Sequence, residues 1–231
     1  RTVVDESKWE AVNLPHTWNA KDGQDGGNDY YRGTCYYAKK LSKAECQGAE
    51  QVYIEFEGAN SSADVYVNGK LAVHHDGGYS TFRANITELL EDENDIIVAV
   101  DNSANDRVYP QMADFTFYGG LYRDVNIVCV KESHFDLDYY GGPGIAVTPV
   151  IEGTTAKVGV EVYVTNKKDD QVLVYRIKDA EGNVVGSISS EDTAALFEIE
   201  NVHLWHGRKD PYLYTCEVEL VKEGKVIDVV S

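Results

Sequence analysis

Between Ala156 and Val164 every second residue is apolar: Ala156, Val158, Val160, Val162 and Val164 alternate with Lys157, Gly159, Glu161 and Tyr163. Successive side chains of a strand point to opposite faces, so this period of two predicts a strand with one face buried. The pattern recurs along the chain. Val52, Ile54 and Phe56 share one parity, as do Ala63, Val65 and Val67, then Phe82, Ala84 and Ile86, then Ile96, Val98 and Val100, then Val125, Ile127 and Cys129. Asn68-Gly69 supplies the two residues most tolerant of the positive dihedrals a tight hairpin needs. Ile86 to Leu90 reads as a short turn before the acidic EDEND segment. No repeated strand-helix-strand unit appears, which argues against a parallel nucleotide-binding sheet.

Many short strands with glycine turns and long cross-connections predict an all-β chain, its first part a jelly-roll-like β-sandwich. The texture changes at KESHFDLDYYGGPGIAVTP, where Gly141, Gly142, Pro143 and Gly144 punctuate a connection. About seven further strands over roughly 90 residues fit a small immunoglobulin-like β-sandwich. The expected division is 1–135 and 136–231, with the boundary near 132 to 142. Leu204, Trp205, Pro211 and Tyr212 are expected to plug the core or the interdomain end of the second sandwich. In the amino-terminal arm, Trp9, Val12, Leu14 and Trp18 are expected to cover a sheet edge, with His16 as a packing residue or a pocket residue.

The chain has 231 residues and a formal net charge of -18, from 21 basic and 39 acidic side chains. Residues 1 to 131 carry 12 basic and 21 acidic side chains, so neither half concentrates the Lys and Arg that phosphate binding requires. Nucleic acid is therefore not an expected partner. No apolar run approaches the roughly 20 residues of a membrane span, and no signal-like segment is present. A cytoplasmic location is the leading expectation, with secretion or a periplasmic location left open. Arg1 and a single Met suggest a piece of a longer precursor. Cys35, Cys46, Cys129 and Cys216 show no CxxC pair and read as mostly buried free thiols, the alternative being a disulfide between Cys35 and Cys129.

The richest loop is DNSANDRVYPQMADFTFYGGLYR, Asp101 to Arg123, which follows one strand and runs into the next. Loops pinned at both ends by a sheet are where recognition groups concentrate. Within it Asp114 can accept hydrogen bonds from vicinal sugar hydroxyls, and Phe115 can cover an apolar sugar face. A purely structural role for Asp114 remains open, as a loop cap or a partner of Arg107 or Arg123. Asn28, in the glycine-rich loop KDGQDGGNDYYRG, is a second rim candidate, with Tyr31 and Arg32 as rim groups or loop anchors. His74 and His75 tempt a metal assignment, but neighbours on a strand point apart. There is no GxSxG elbow, P-loop, HExxH helix or dinucleotide fingerprint, and no catalytic residue is assigned.

Several ordered stretches together resemble the amino-terminal half of glycoside hydrolase family 2, especially its bacterial β-galactosidases. They are LPHTWNA with the following DYYRGTCYY, VYVNGKLAVHHDGGYSTF, FYGGLYRDV and LWHGRKDPYLYTCEVEL. The resemblance implies a sugar-binding jelly roll, an immunoglobulin-like domain, and then a (β/α)8 barrel carrying both catalytic glutamates of a retaining reaction. On that reading these residues form a non-catalytic fragment, inactive alone, whose partners are the missing carboxy-terminal barrel and a terminal β-galactoside. β-Glucuronide and β-mannoside are neighbouring substrate classes. Asp114, nine residues before Arg123, resembles the family's substrate-contacting aspartate. The resemblance also brings in a monovalent or divalent cation for the full-length enzyme, no cofactor in the fragment itself, and a homo-oligomer. The competing reading is a stand-alone carbohydrate-binding or structural interaction module.

Overall fold

The computed structural model describes residues 6–21, 31–109 and 116–231. It divides into two compact units, Arg1–Cys129 and Val130–Ser231. The first unit contains strands β1 (Thr34–Ser42), β2 (Gln51–Phe56), β3 (Ser62–Val67), β4 (Lys70–Asp76), β5 (Phe82–Asn85), β6 (Glu93–Asp101) and β7 (Val125–Val130). They build two sheets, a four-stranded one in the order β1-β6-β3-β4 and a three-stranded one in the order β5-β2-β7. The β1-β6, β3-β6, β3-β4 and β2-β5 ladders are antiparallel.

The inward parity expected from the sequence is what fills the core. Val52, Ile54 and Phe56 from β2 meet Ala63, Val65 and Val67 from β3 and Ile96, Val98 and Val100 from β6. Burying a residue of this kind stabilises by roughly 1.5–3 kcal/mol, which fixes the strand register because a one-residue slip would expose every one of them. Asn68 and Gly69 take positive φ in the β3-β4 turn, and Thr87–Leu89 forms a single 3-10 turn. Strand β7 pairs with β2 in the smaller sheet, whereas Ile96 to Val100 lie in the larger one.

The second unit contains β8 (His134–Phe135), β9 (Ile145–Glu152), β10 (Thr155–Val162), β11 (Val164–Thr165), β12 (Gln171–Lys178), β13 (Val184–Ser190), β14 (Ala194–Ile199), β15 (Thr215–Lys222) and β16 (Lys225–Val230). Three sheets result, ordered β14-β10-β9, β13-β12-β15-β16 and the short pair β11-β8. The alternating run Ala156, Val158, Val160 and Val162 of β10 packs with Leu173, Tyr175 and Ile177 of β12 and Val218 and Leu220 of β15. The chain is thus all-β, a jelly-roll-like sandwich followed by an immunoglobulin-like one. No (β/α)8 barrel is present among the described residues.

One expectation is corrected, and for the cysteines the free-thiol reading holds while the alternative disulfide falls. Leu204, Trp205, Pro211 and Tyr212 do not plug the core: Trp205 is 62% exposed, Leu204 and Pro211 are exposed, and Tyr212 stacks on His203 with ring centroids 4.0 Å apart. Leu204 and Trp205 line a groove instead. All four cysteines are free, and Cys129 is exposed. Cys35 sits on β1 and Cys129 on β7, strands of different sheets, so they do not face each other across one sheet. The thiol beside Cys129 is that of Cys46, whose pKa is raised by burial and by this neighbour.

Candidate functional site

The three substrate-contact candidates, Asn28, Asp114 and Phe115, lie outside the described residues. What the structure describes is the frame from which their two loops spring. The inward parity of β6 continues at both ends into amides: Asn94, Ile96, Val98, Val100 and Asn102 are all buried. Asn102 therefore sits where the strand hands over to the 101–123 loop, with its carboxamide inside the sandwich.

There it meets Asn19, which is 0% exposed. The Asn102 Nδ2 donates to Asn19 Oδ1 at 3.1 Å, and Asn102 Oδ1 accepts from the Gly33 N–H at 2.9 Å. Asn19 Oδ1 also accepts from the Gly119 N–H at 2.8 Å, while Asn19 Nδ2 donates to the Tyr31 carbonyl at 3.0 Å. Arg32 Nε donates to the Asn102 carbonyl at 2.9 Å, so Arg32 serves as a loop anchor. Residues flanking the 22–30 segment (Asn19, Tyr31, Arg32 and Gly33) are thereby tied to residues flanking the 110–115 segment (Asn102 and Gly119). Two buried amides fix where both candidate loops begin and end.

The far side of the same loop is closed by a second set of bonds. Asn60 and Gly120 exchange backbone hydrogen bonds of 3.1 and 3.2 Å, and Asn60 Nδ2 donates to the Tyr118 carbonyl at 2.8 Å. Thr17 Oγ1 donates to the Gly119 carbonyl at 2.7 Å, and the His16 N–H donates to the Leu121 carbonyl at 2.7 Å. Close approach explains the paired glycines. A Cβ on Gly119 would collide with the Trp18 ring, and one on Gly120, at φ 125°, would lie 2.6 Å from Tyr37 Oη and 2.7 Å from the His16 carbonyl oxygen. His16 is a packing residue, with Nδ1 2.9 Å from Tyr37 Oη. Burial pushes the Tyr37 hydroxyl up to about 12, so it stays protonated and able to donate.

Entry to the loop is fastened by charge. Arg107 Nε donates to Asp76 Oδ2 at 2.6 Å, and Ser62 Oγ and Asn105 Nδ2 donate to Asp76 Oδ1 at 2.7 and 3.0 Å. The Arg107 guanidinium, with help from Ser62, His74 and Asn105, holds the Asp76 carboxyl far below the usual carboxylate range. At Asp101, burial opposes ionisation, yet hydrogen bonds from Ser103 and Thr34 outweigh it and keep the carboxyl low. Arg123 donates to the Glu57 and Tyr79 carbonyls at 3.1 and 3.2 Å and so ties the loop exit to the sandwich.

His74 and His75 diverge as strand neighbours must. His74 reaches Asp64 at 2.6 Å and Asp76 at 3.2 Å, which raise its pKa in that order. His75 stacks on Phe82, with centroids 4.2 Å apart, and burial lowers its pKa. No group of three metal-ligating side chains occurs among the described residues.

Residues 5–131 match the sugar binding domain of glycosyl hydrolases family 2, and residues 144–231 match a second domain of that family. The chain belongs to glycosyl hydrolase family 2. A β-glucuronidase of Bacteroides fragilis is 35% identical over 234 residues, covering 95% of this chain and 34% of its own length. Among solved structures, an FMN-binding β-glucuronidase from Facaelibacterium prausnitzii L2-6 is 42% identical, with a TM-score of 0.90, over 96% of this chain and 35% of that one. A putative β-galactosidase from B. fragilis is 38% identical, with a TM-score of 0.88, over 96% of this chain and 36% of that one. The family-2 chain therefore spans about a third of the length of the relatives it matches, and those relatives include both glucuronidases and galactosidases.

Sequence reasoning passed over Asn19, Asn60 and Asn102. The signal for Asn102 was available: it has the parity of Ile96, Val98 and Val100, and an amide at an inward position demands partners. Nothing comparable marks Asn19, whose Oδ1 accepts from groups 83 and 100 residues away.

Proposed function

We propose that these residues form the non-catalytic, sugar-binding part of a retaining glycoside hydrolase that acts on terminal β-glucuronides, and that a separate barrel of the longer protein cleaves the bond. Retaining cleavage needs two carboxyl groups about 5–5.5 Å apart across the glycosidic bond. In this reading both belong to the barrel, and the jelly roll supplies one wall of the pocket through Asp114, Phe115 and Asn28. The observation that carries it is the buried Asn19–Asn102 pair, which fastens the bases of the two loops bearing those residues to one another. The choice of glucuronide is supported by the names of the relatives at 42% and 35% identity.

A second reading, a terminal β-galactoside, is favoured by the 38% identical structure described as a putative β-galactosidase. The full-length gene product, assayed with aryl β-glucuronide and aryl β-galactoside, separates the two. Glucuronide is expected to have the higher kcat/KM by at least about tenfold, a discrimination that a few matched polar contacts supply. The reverse order would select the galactoside. In the same protein Asp114→Ala is expected to lower kcat/KM by about 100-fold, the cost of misplacing a substrate. Turnover by the rigorously purified 231-residue chain, or full activity of Asp114→Ala, would overturn the assignment of roles.

A further inference from the structure

Two outer strands of the first unit border an open seam. Strand β1 is an outer strand of the four-stranded sheet and β7 an outer strand of the three-stranded one, and among the described residues no ladder joins them. Between them lies a groove of about 430 Å³, lined by Leu14, Tyr37, Leu41, Glu45, Val125 and Ile127.

A cysteine stands on each bank of this seam. Cys46 ends the 3-10 turn Lys43–Cys46, which directly follows β1. That turn is held at both ends: the Lys43 N–H donates to the Asp92 carbonyl at 2.9 Å, and the Ala49 N–H donates to the Cys46 carbonyl at 3.1 Å. The Cys46 side chain is 7% exposed and belongs to the core against which Val125 and Ile127 of β7 pack. Cys129 has the same parity as Val125 and Ile127 and, one step further along the strand, is exposed. The two thiols are in hydrogen-bond contact.

We propose that Cys46 and Cys129 are a covalent modification site, at which a small-molecule disulfide oxidises the pair to a reversible cross-link that clasps the two sheets together across the seam. The exposed Cys129 reacts first. Its thiolate attacks one sulfur of the reagent, the reagent's S–S bond breaks, and one small thiolate leaves. Cys46 then loses its proton to solvent and attacks Cys129 Sγ in the mixed disulfide, and the second small thiolate leaves. The protein dithiol is thereby oxidised by two electrons and the reagent is reduced to two thiols. Burial and the neighbouring Cys129 push the Cys46 thiol up to about 11, so it waits in the protonated form while Cys129 takes the first step. The cross-link closes a loop from residue 46 to residue 129, which contains β2 to β6 and the whole 101–123 stretch. Closing so long a loop removes freedom mainly from the unfolded chain and so stabilises the folded unit. The clasp is independent of which sugar the unit binds.

The 231-residue chain, fully reduced and then incubated with oxidised glutathione, tests the proposal through intact mass, peptide mapping and thermal unfolding. The oxidised chain is expected to lack two hydrogens, to yield one linked peptide pair joining Cys46 to Cys129, and to melt roughly 5–10 °C higher, all reversed by dithiothreitol. Cys129→Ser, a change at an exposed position, is expected to fold normally and to show neither the link nor the rise in Tm. A chain that does not react, or that keeps a glutathione on Cys129 without passing to the internal link, overturns the proposal. So does a link that involves Cys35 or Cys216. A Cys46–Cys129 link that leaves Tm unchanged overturns the clasp. None of these readouts is an activity, so a failure to bind or cleave a glycoside would defeat the proposed function and leave this result standing.

Discussion

Replacing Asn102 by Ala tests whether the two candidate loops share one foundation. The side chain is 2% exposed and takes part in three hydrogen bonds: to Asn19 Oδ1 at 3.1 Å, to the Tyr31 carbonyl at 3.3 Å and from the Gly33 N–H at 2.9 Å. Asn19 Oδ1 keeps its bond from Gly119, and the Tyr31 carbonyl keeps its bond from Asn19. The Gly33 N–H loses its side-chain acceptor. One stranded buried donor costs about 1–3 kcal/mol, and each remaining bond contributes about 0.5–1.5 kcal/mol net. With the carboxamide volume also vacated, the expected loss is about 2–4 kcal/mol. For a unit of this size that lowers Tm by roughly 10 °C. Asn102→Asp keeps the shape but turns a carboxylate oxygen toward two acceptors, Asn19 Oδ1 and the Tyr31 carbonyl. It is expected to be no more stable than the Ala variant, because a buried charge facing acceptors is strongly disfavoured. Thermal unfolding followed through Trp18 fluorescence measures the loss, and amide exchange at Gly33 and Gly119 locates it. Both amides should exchange faster in both variants, although they lie 86 positions apart in the sequence. A loss below about 0.5 kcal/mol, or faster exchange at Gly33 alone, would refute the shared foundation.

Three further outcomes follow from the same geometry. Gly120→Ala combines a positive φ with contacts of 2.6 and 2.7 Å and should destabilise the first unit by at least about 2 kcal/mol in urea unfolding, whereas Gly69→Ala, with open space at its Cβ, should cost less. The His74–Asp76–Arg107 group acts in opposite pH windows. The raised pKa of His74 stabilises at pH below its unfolded value and fades as pH rises through its folded value, whereas the lowered pKa of Asp76 stabilises above the usual carboxylate range and is lost only in strong acid. Arg107→Gln should therefore move the Asp76 titration, read by carboxyl carbon NMR, upward. Finally, a thiol reagent at pH 8 should label exposed Cys129 first and Cys216 slowly, since burial pushes the Cys216 thiol up to about 11.

The strands were legible because their determinant is local. A two-residue period in Ala156–Val162 or Ile96–Val100 names the buried face directly, and the structure buries those residues. The pairing of β7 with β2 was not legible, since parity says which face is buried but not which neighbour a strand takes. Trp205 misled for a related reason: hydrophobicity shows that a side chain wants cover, not whether the cover belongs to the same stretch of chain. The frame of the two candidate loops was the least visible part. Asn19, Asn60 and Asn102 are ordinary polar residues by composition, and only the fold shows that each is enclosed and fully engaged.

The clasp between the arm and the Gly119-Gly120 corner joins residues separated by about a hundred positions. During synthesis His16, Thr17 and Asn19 leave the ribosome long before their partners exist, and the first sandwich cannot settle until the corner has emerged. Contacts so remote in sequence are slow to find, which leaves the sheet edges open meanwhile. A nascent chain halted before Leu121 should therefore depend on chaperones more than one released beyond Val130, where β7 has completed the smaller sheet.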